Sequence, residues 1–416
     1  MYNIEINGAR PLMGSTRVHG AKNSVLPILA ATVLGEGESV IEGCPYLDDV
    51  VCSLEILTSA GCRTRREDDA VLVDASGISK STIPDALMHK MRSSITFLGA
   101  MTARMGSAEM SFPGGCELGP RPIDLHIKAL SKIGIRVHES GGSVRAELGD
   151  FRGGQVHLDF PSVGATENLM MAATLARGET VLTNAAKEPE ICDLQNFLNK
   201  MGARVSGAGT DKIRIEGVPR LSGATHRVIS DRIVAATYLS AGVMTGGMIE
   251  LTGTNPEHIG AVLDVLREVG ARVEVKEDRI FLVAPKRQRP IKLLRTMPYP
   301  GFPTDAQALV TAMLTISDGT SMVEETIFEN RFKHCSALCR MGADITTRGS
   351  IAVIRGVPRL IGAKVEAMEL RGGAALVIAG LAAEGKTEIS GTAHIDRGYD
   401  TLIEDMQALG ADIRKK

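Results

Sequence analysis

Tryptophan is absent from the 416 residues, and aromatic residues make up only 3% of them, so the chain offers no stacking platform for single-stranded nucleic acid. A charge excess is missing as well. The net charge of -2 gives no global attraction to nucleic acid or anionic membrane, and an anionic ligand must be held by locally placed Lys and Arg. No nucleic-acid partner is expected. The opening MYNIEINGAR lacks the basic and apolar regions of a signal peptide. The longest apolar run, Ala374 to Ala383, is interrupted by Gly380 and falls short of the roughly 18 residues that a membrane helix needs; no membrane insertion is expected. Cysteine is odd in number and scattered, at 44, 52, 62, 116, 192, 335 and 339, which suits a reducing cytoplasm better than a disulfide framework. Cys335 and Cys339 lie four apart without a second ligand pair, which favours buried thiols over zinc.

Glycine, by contrast, is abundant: 45 residues against a usual share of about 7%. Six of these mark a repeat. The segments LTSAGCRTR, LSKIGIRVH, LNKMGARVS, LREVGARVE, LCRMGADIT and LQALGADIR carry Gly61, Gly134, Gly202, Gly270, Gly342 and Gly410, spaced by 73, 68, 68, 72 and 68 residues. Such spacing means one supersecondary unit built repeatedly. Each copy reads as a small-residue helix, a strand, a second helix ending at the repeated glycine, and two strands joined by a turn. A further strand leads to the next copy. At 416 residues, two domains of three copies each are expected.

The sixth copy stops at ADIRKK, before its closing strand. The N-terminal IEINGARPLMGSTRV resembles IRIEGVPRLSGATHRV near residue 213, so residues 1–21 are expected to complete that last unit. The domains are then 22–229 and 1–21 with 230–416.

Aligned on Gly8, Gly77, Gly217 and Gly356, the copies place Asn23, Arg92, Arg232 and Arg371 in one register, with Lys22 and Asp231 one position earlier. The fourth copy, longer by an insertion, places Asp305 at the same helix entrance. Helix starts favour anions. The starts of the second helices form another set, with Cys116 and Arg121, Glu188, His258, Glu329 and Arg331, and Asp396 and Arg397. Helix capping accounts for any one of these charges alone; their common register points to an anion site. Cys116, in the loop GGCELGPRP beside Arg121, is a candidate acid or nucleophile. No serine elbow accompanies His126 and Asp124, so a triad is not expected.

The segments GAKNS, MRSSITFLGA, FPGGCELGPRPIDLH, LDFPSVGATEN, FPTDAQA, FENRF and HIDRGYD closely resemble the UDP-N-acetylglucosamine 1-carboxyvinyltransferases, the enolpyruvyl transferases of peptidoglycan synthesis. The match runs nearly end to end. It implies an α/β fold of two inside-out, barrel-like domains, each of three βαβαββ repeats, with the active site in an interdomain cleft that closes on the nucleotide sugar. The implied reaction moves the enolpyruvyl group of phosphoenolpyruvate to the 3'-hydroxyl of UDP-N-acetylglucosamine and releases phosphate. No metal or organic cofactor is implied. The resemblance makes Cys116 the proton donor or covalent partner and Asp305 the group that takes the hydroxyl proton. It makes Lys22, Arg121 and Arg397 the phosphoenolpyruvate ligands, supported by Arg92, Arg331 and Arg371. Asn23 matches a residue touching both substrates, and Arg121, Pro122, Ile123, Asp124, Leu125, Ser162, Val163 and Ile327 match nucleotide-binding positions. Glu329 joins the substrate-binding set.

Three positions depart from the family pattern. Glu369 stands where Asp is expected, Gly372 where Ala is common, and Phe160 where some relatives have Lys. A shikimate-pathway sibling would show Lys-Ser in place of Lys22-Asn23 and no cysteine in the loop. A non-catalytic paralogue that binds UDP-sugar would not need Lys22, Cys116, Asp305 and Arg397 together.

Overall fold

The computed structural model describes residues 2–112 and 123–416. The chain folds into two compact units, one of residues 2–19 and 230–416, the other of residues 20–112 and 123–229. In the first unit, helices Arg232–Met244, Thr304–Leu314 and Leu370–Ala382 pack on one another. Nearly every residue in them is buried, as expected of helices made of Ala, Val, Leu and Gly on all faces. The second helices, such as Gly260–Glu268, are amphipathic and bury only Val262, Leu263, Val265 and Leu266. Sheets lie outside. In Lys212–Glu216 of the other unit, buried and exposed residues alternate, which is the signature of a sheet covered on one face.

All six repeated glycines have positive φ, between 83° and 105°. That conformation strains any residue with a Cβ, so glycine ends the helix and turns the chain into the next strand. The last sheet has the order Lys364–Glu366, Lys386–Ser390, Ile4–Asn7, Asp412–Lys415. Strand Ile4–Asn7 is interior, antiparallel to both neighbours, with Ile6 opposite Thr387 on one side and Ile413 on the other. It holds the place that Lys212–Glu216 holds in the third copy, between Glu179–Thr183 and Arg204–Ser206. The N-terminus therefore completes the sixth unit. The next segment, Met13–Arg17, runs parallel to Met248–Thr252 as the lead-in strand of the fourth copy.

The second copy departs from the expected pattern. Its sheet has three strands, Ser107–Ser111, Ser143–Leu148 and Ile135–Ser140, and the lead-in is reduced to a single bridge from Thr82 to Glu109. Pro84, two residues on, has no N–H to continue a ladder and instead starts the helix Asp85–Lys90.

Candidate active site

In the unit of residues 230–416, three of the expected site residues meet. Asp305 is the second residue of helix Thr304–Leu314. Its Oδ1 lies 2.7 Å from Arg331 Nη2 and its Oδ2 3.3 Å from Arg371 Nη2. The two guanidinium side chains are 2% and 3% exposed and the carboxylate 27%, so both cations are withdrawn from water while the acid still opens to it. Burial would raise the Asp305 pKa, but the charges of Arg371 and Arg331 outweigh it and hold the carboxyl below the usual carboxylate range. Burial works against the Arg371 cation in turn, and Asp305 more than restores it.

Arg371 also lies 5.6 Å from the Tyr399 ring, within cation–π range. Tyr399 is buried, and its hydroxyl is 2.8 Å from Thr237 Oγ1. Glu369 caps helix Leu370–Ala382, accepting from the N–H groups of Arg371 and Gly372, so the departure from Asp still fixes the Arg371 backbone. His334 is 4% exposed, and burial together with the Arg331 charge lowers its pKa to about 3.

Glu325, 2% exposed, ties together several of these segments. It accepts from Thr296 Oγ1 at 2.9 Å, Thr304 Oγ1 at 2.8 Å, and the N–H groups of Ile327 and Phe328 at 2.8 and 3.1 Å. The turn carrying Ile327 is thereby joined to the residue before Asp305. Glu329 is exposed on that turn and makes no ion pair with the Asp305 cluster. Arg397 follows the short helix Ala393–Asp396, whose Asp396 accepts from Tyr2 Oη at 2.6 Å. Arg232 and His258, drawn from the two helix registers, line one cavity of about 60 Å³ with Tyr299.

In the unit of residues 20–229, Lys22 opens helix Lys22–Ala31 and pairs with Asp49 at 2.7 Å. Both side chains are more than nine-tenths buried. Asn23 beside it is half-buried. Ser162 caps helix Val163–Ala173 by accepting from the Ala165 N–H. Ile123 is buried at the start of helix Asp124–Lys132, Leu125 is half-buried and Asp124 is exposed. Asn168 links these segments: its Oδ1 accepts from the Gly99 N–H at 2.6 Å, and its Nδ2 is 2.9 Å from the Ile95 carbonyl and 3.1 Å from His126 Nδ1. Arg92 opens a 3₁₀ turn, Arg92–Thr96, with its side chain outside the described set. Cys116, Arg121 and Pro122 lie outside the described residues.

One expectation is corrected. Cys335 is a buried thiol, pushed up to about 12 by burial, but Cys339 is exposed. It sits near the end of the short helix Cys335–Arg340 and turns away from the core. No metal-holding group of three or more His, Cys, Asp or Glu occurs among the described residues.

The family model of EPSP synthase (3-phosphoshikimate 1-carboxyvinyltransferase) matches residues 6–406. The UDP-N-acetylglucosamine 1-carboxyvinyltransferase 2 of Caldanaerobacter subterraneus subsp. tengcongensis is 53% identical over 413 residues, covering 99% of both chains. The chain belongs to the enolpyruvyl transferase family. A second relative, UDP-N-acetylglucosamine 1-carboxyvinyltransferase 1 of Carboxydothermus hydrogenoformans, is 48% identical over 415 residues, covering 100% of this chain and 98% of the relative. Among solved structures, the enolpyruvyl transferase NikO from Streptomyces tendae superposes with a TM-score of 0.90 at 24% identity, covering 100% of this chain and 99% of its own. The EPSP synthase of Acinetobacter baumannii gives 0.75 at 19% identity, over the full length of both. These two establish the enolpyruvyl transferase fold.

Tyr399, Glu325 and Asp49 were not among the residues expected from the sequence of this transferase. Each acts on a partner distant in the chain, and an isolated Tyr or acidic residue at a strand end or helix start carries no local mark of that partner.

Proposed function

We propose that this transferase moves the enolpyruvyl group of phosphoenolpyruvate onto the 3'-hydroxyl of UDP-N-acetylglucosamine, releasing phosphate, in the first committed step of peptidoglycan synthesis. The observation that carries this reading is the Asp305–Arg331–Arg371 cluster in a chain 53% identical, end to end, to an enzyme of that name. Addition and elimination ask for three things of the protein. A proton must reach the methylene carbon, the sugar hydroxyl must lose one as its oxygen bonds to the adjacent carbon, and the substrate's carboxylate and phosphate must be held throughout.

In this reading Lys22, Arg121 and Arg397 hold the phosphoenolpyruvate anion, with Arg92, Arg331 and Arg371 around them, because guanidinium groups bind carboxylate and phosphate through paired N–H donors. Cys116 delivers the proton to the methylene carbon. A thiol of ordinary pKa near 8.5 still carries that proton at neutral pH. Asp305 takes the hydroxyl proton. Its two arginines keep it ionised beforehand, and a substrate anion drawing on their charge would raise its proton affinity when the base is needed. The tetrahedral adduct then loses phosphate from one carbon and a proton from the new methyl group, which restores the double bond.

Asn23, Pro122, Ile123, Asp124, Leu125, Ser162, Val163, Ile327 and Glu329 complete the binding surface for the nucleotide sugar. Among the described residues no helix is long and apolar enough to cross a membrane, and we place the protein in the cytoplasm, where both substrates are made. The test is phosphate release by the purified chain. Release is expected only when phosphoenolpyruvate and UDP-N-acetylglucosamine are both supplied; release with shikimate 3-phosphate in place of the nucleotide sugar would overturn the assignment.

A further inference from the structure

Helix Lys22–Ala31 opens without a side-chain cap, since Ala21 at its N-cap has no acceptor to offer. At comparable places in other copies, helices Val163–Ala173, Arg232–Met244 and Leu370–Ala382 are capped by Ser162, Asp231 and Glu369, while Thr304–Leu314 opens after Pro303 without a side-chain cap. A side chain folded over the first turn would occupy N–H groups that a bound anion could use. Leaving it out also removes what normally fixes the chain's entry into the helix. Residues 21–24 must be held by other means.

Asp193 of helix Pro189–Lys200 supplies the hold. Its Oδ2 accepts from Ser24 Oγ and, at 3.2 Å, from the Ile229 N–H. Its Oδ1 lies 2.8 Å from His226 Nε2, which donates. The Ile229 carbonyl accepts the Ala21 N–H at 2.7 Å. Lys22 and Asn23 thus stand between Ala21, bonded to the Ile229 carbonyl, and Ser24, bonded to the Asp193 carboxylate that also holds the Ile229 N–H. Ser24, Asp193 and His226 are 0%, 3% and 4% exposed, so the three are out of a substrate's reach. They are not a nucleophilic triad either, because the carboxylate lies between hydroxyl and imidazole and leaves no base on the serine.

We infer that Asp193, backed by His226, is a positioning residue that sets the place of Lys22 for phosphoenolpyruvate. Asp49 orients the far end of the Lys22 side chain at 2.7 Å, and Asp193 orients its backbone. This division lets the helix entrance stay uncapped without becoming loose. The inference rests on the functional reading above. A displacement of about 1 Å at a group that holds a reacting substrate costs up to about a hundredfold in rate, whereas a purely structural contact lowers stability without favouring one substrate.

The experiment measures phosphate release and melting temperature for the full chain and for Asp193→Asn and Ser24→Ala. Expected is a rise of about tenfold in KM for phosphoenolpyruvate in Asp193→Asn and a smaller rise in Ser24→Ala, with KM for UDP-N-acetylglucosamine changed by less than about threefold. Ser24→Ala leaves Asp193 its other two donors, so it serves if Asp193→Asn does not fold. Equal rises in both KM values, or unchanged kinetics in a folded variant, overturn the inference. Wild-type protein that releases no phosphate with these two substrates overturns the functional reading and the inference with it.

Discussion

Glu369 occupies the space that a side chain at Gly372 would need: a Cβ there would lie 2.6 Å from Glu369 Oε1 and 2.9 Å from His334 Cβ. The carboxylate cannot swing aside freely, because it accepts from the Arg371 and Gly372 N–H groups. Glu369 and position 372 are therefore coupled by packing. Gly372→Ala is expected to lower stability by about 1–3 kcal/mol. Combined with Glu369→Asp, whose carboxylate is shorter by one methylene, it should cost less than the sum of the single changes. Denaturant titration of the four proteins checks this, and additive losses would contradict the coupling.

Asp305 is placed to lose both its chemistry and its partners when neutralised. Asp305→Asn should lower kcat by about a hundredfold or more. It also removes the carboxylate that buried Arg331 and Arg371 share, which should cost about 3 kcal/mol. Phosphate release read beside thermal unfolding separates the two effects. A variant with wild-type kcat would remove Asp305 from the proton-transfer step.

Acidification should act through His334. Its folded pKa, about 3, is below the ordinary 6.5, so between these values the unfolded chain binds the proton and the folded chain does not. Stability is then complete above about pH 6.5 and falls as the pH drops toward 3, with a slope approaching about 1.4 kcal/mol per pH unit. His334→Gln should flatten this part of the curve. Parallel curves for the two proteins would show that His334 does not carry the effect.

Cys116 should be alkylated by an epoxide mimic of phosphoenolpyruvate such as fosfomycin. Burial raises the Cys62 and Cys335 thiols to about 11 and 12, so they stay protonated and inert, and exposed Cys339 is the internal control for indiscriminate labelling. Peptide mass spectrometry should find the adduct on Cys116. Cys116→Asp should remain active and resist the epoxide, while undiminished activity in Cys116→Ser would argue against the proton-donor role.

Removal of residues 2–8 should unfold the unit that contains them. Ile4 and Ile6 are 1% and 0% exposed, and their strand separates Lys386–Ser390 from Asp412–Lys415. Without it Asp412–Lys415 loses its sheet partner and Lys386–Ser390 becomes an open edge. Soluble expression and a cooperative thermal transition in the truncated chain would contradict this.

Much of the architecture was legible because a repeat shows itself six times. The glycine at each helix end is needed for positive φ, and the N-terminal segment could be matched to the missing strand by its likeness to the segment near residue 213. The lead-in strand of the second copy was not legible, because a proline two residues on outweighs a pattern shared by the rest. Lys22, Asp305, Arg331 and Arg371 were named from register and resemblance. Their pairings were not: Asp305 lies 26 and 66 positions from the arginines it holds, and Ser24 lies 169 from Asp193. No local periodicity records such distances.

The sequence by itself determined the repeated unit, its glycine stops and the positions where helices begin, since each depends on backbone conformation over a few residues. Only the tertiary structure decided which charges meet. It gave Asp305 two buried arginines and Lys22 a buried aspartate, and anchored the helix of Lys22 through Asp193. Burial is the reason: a charge withdrawn from water must find its partner wherever packing brings one, however far away in the chain.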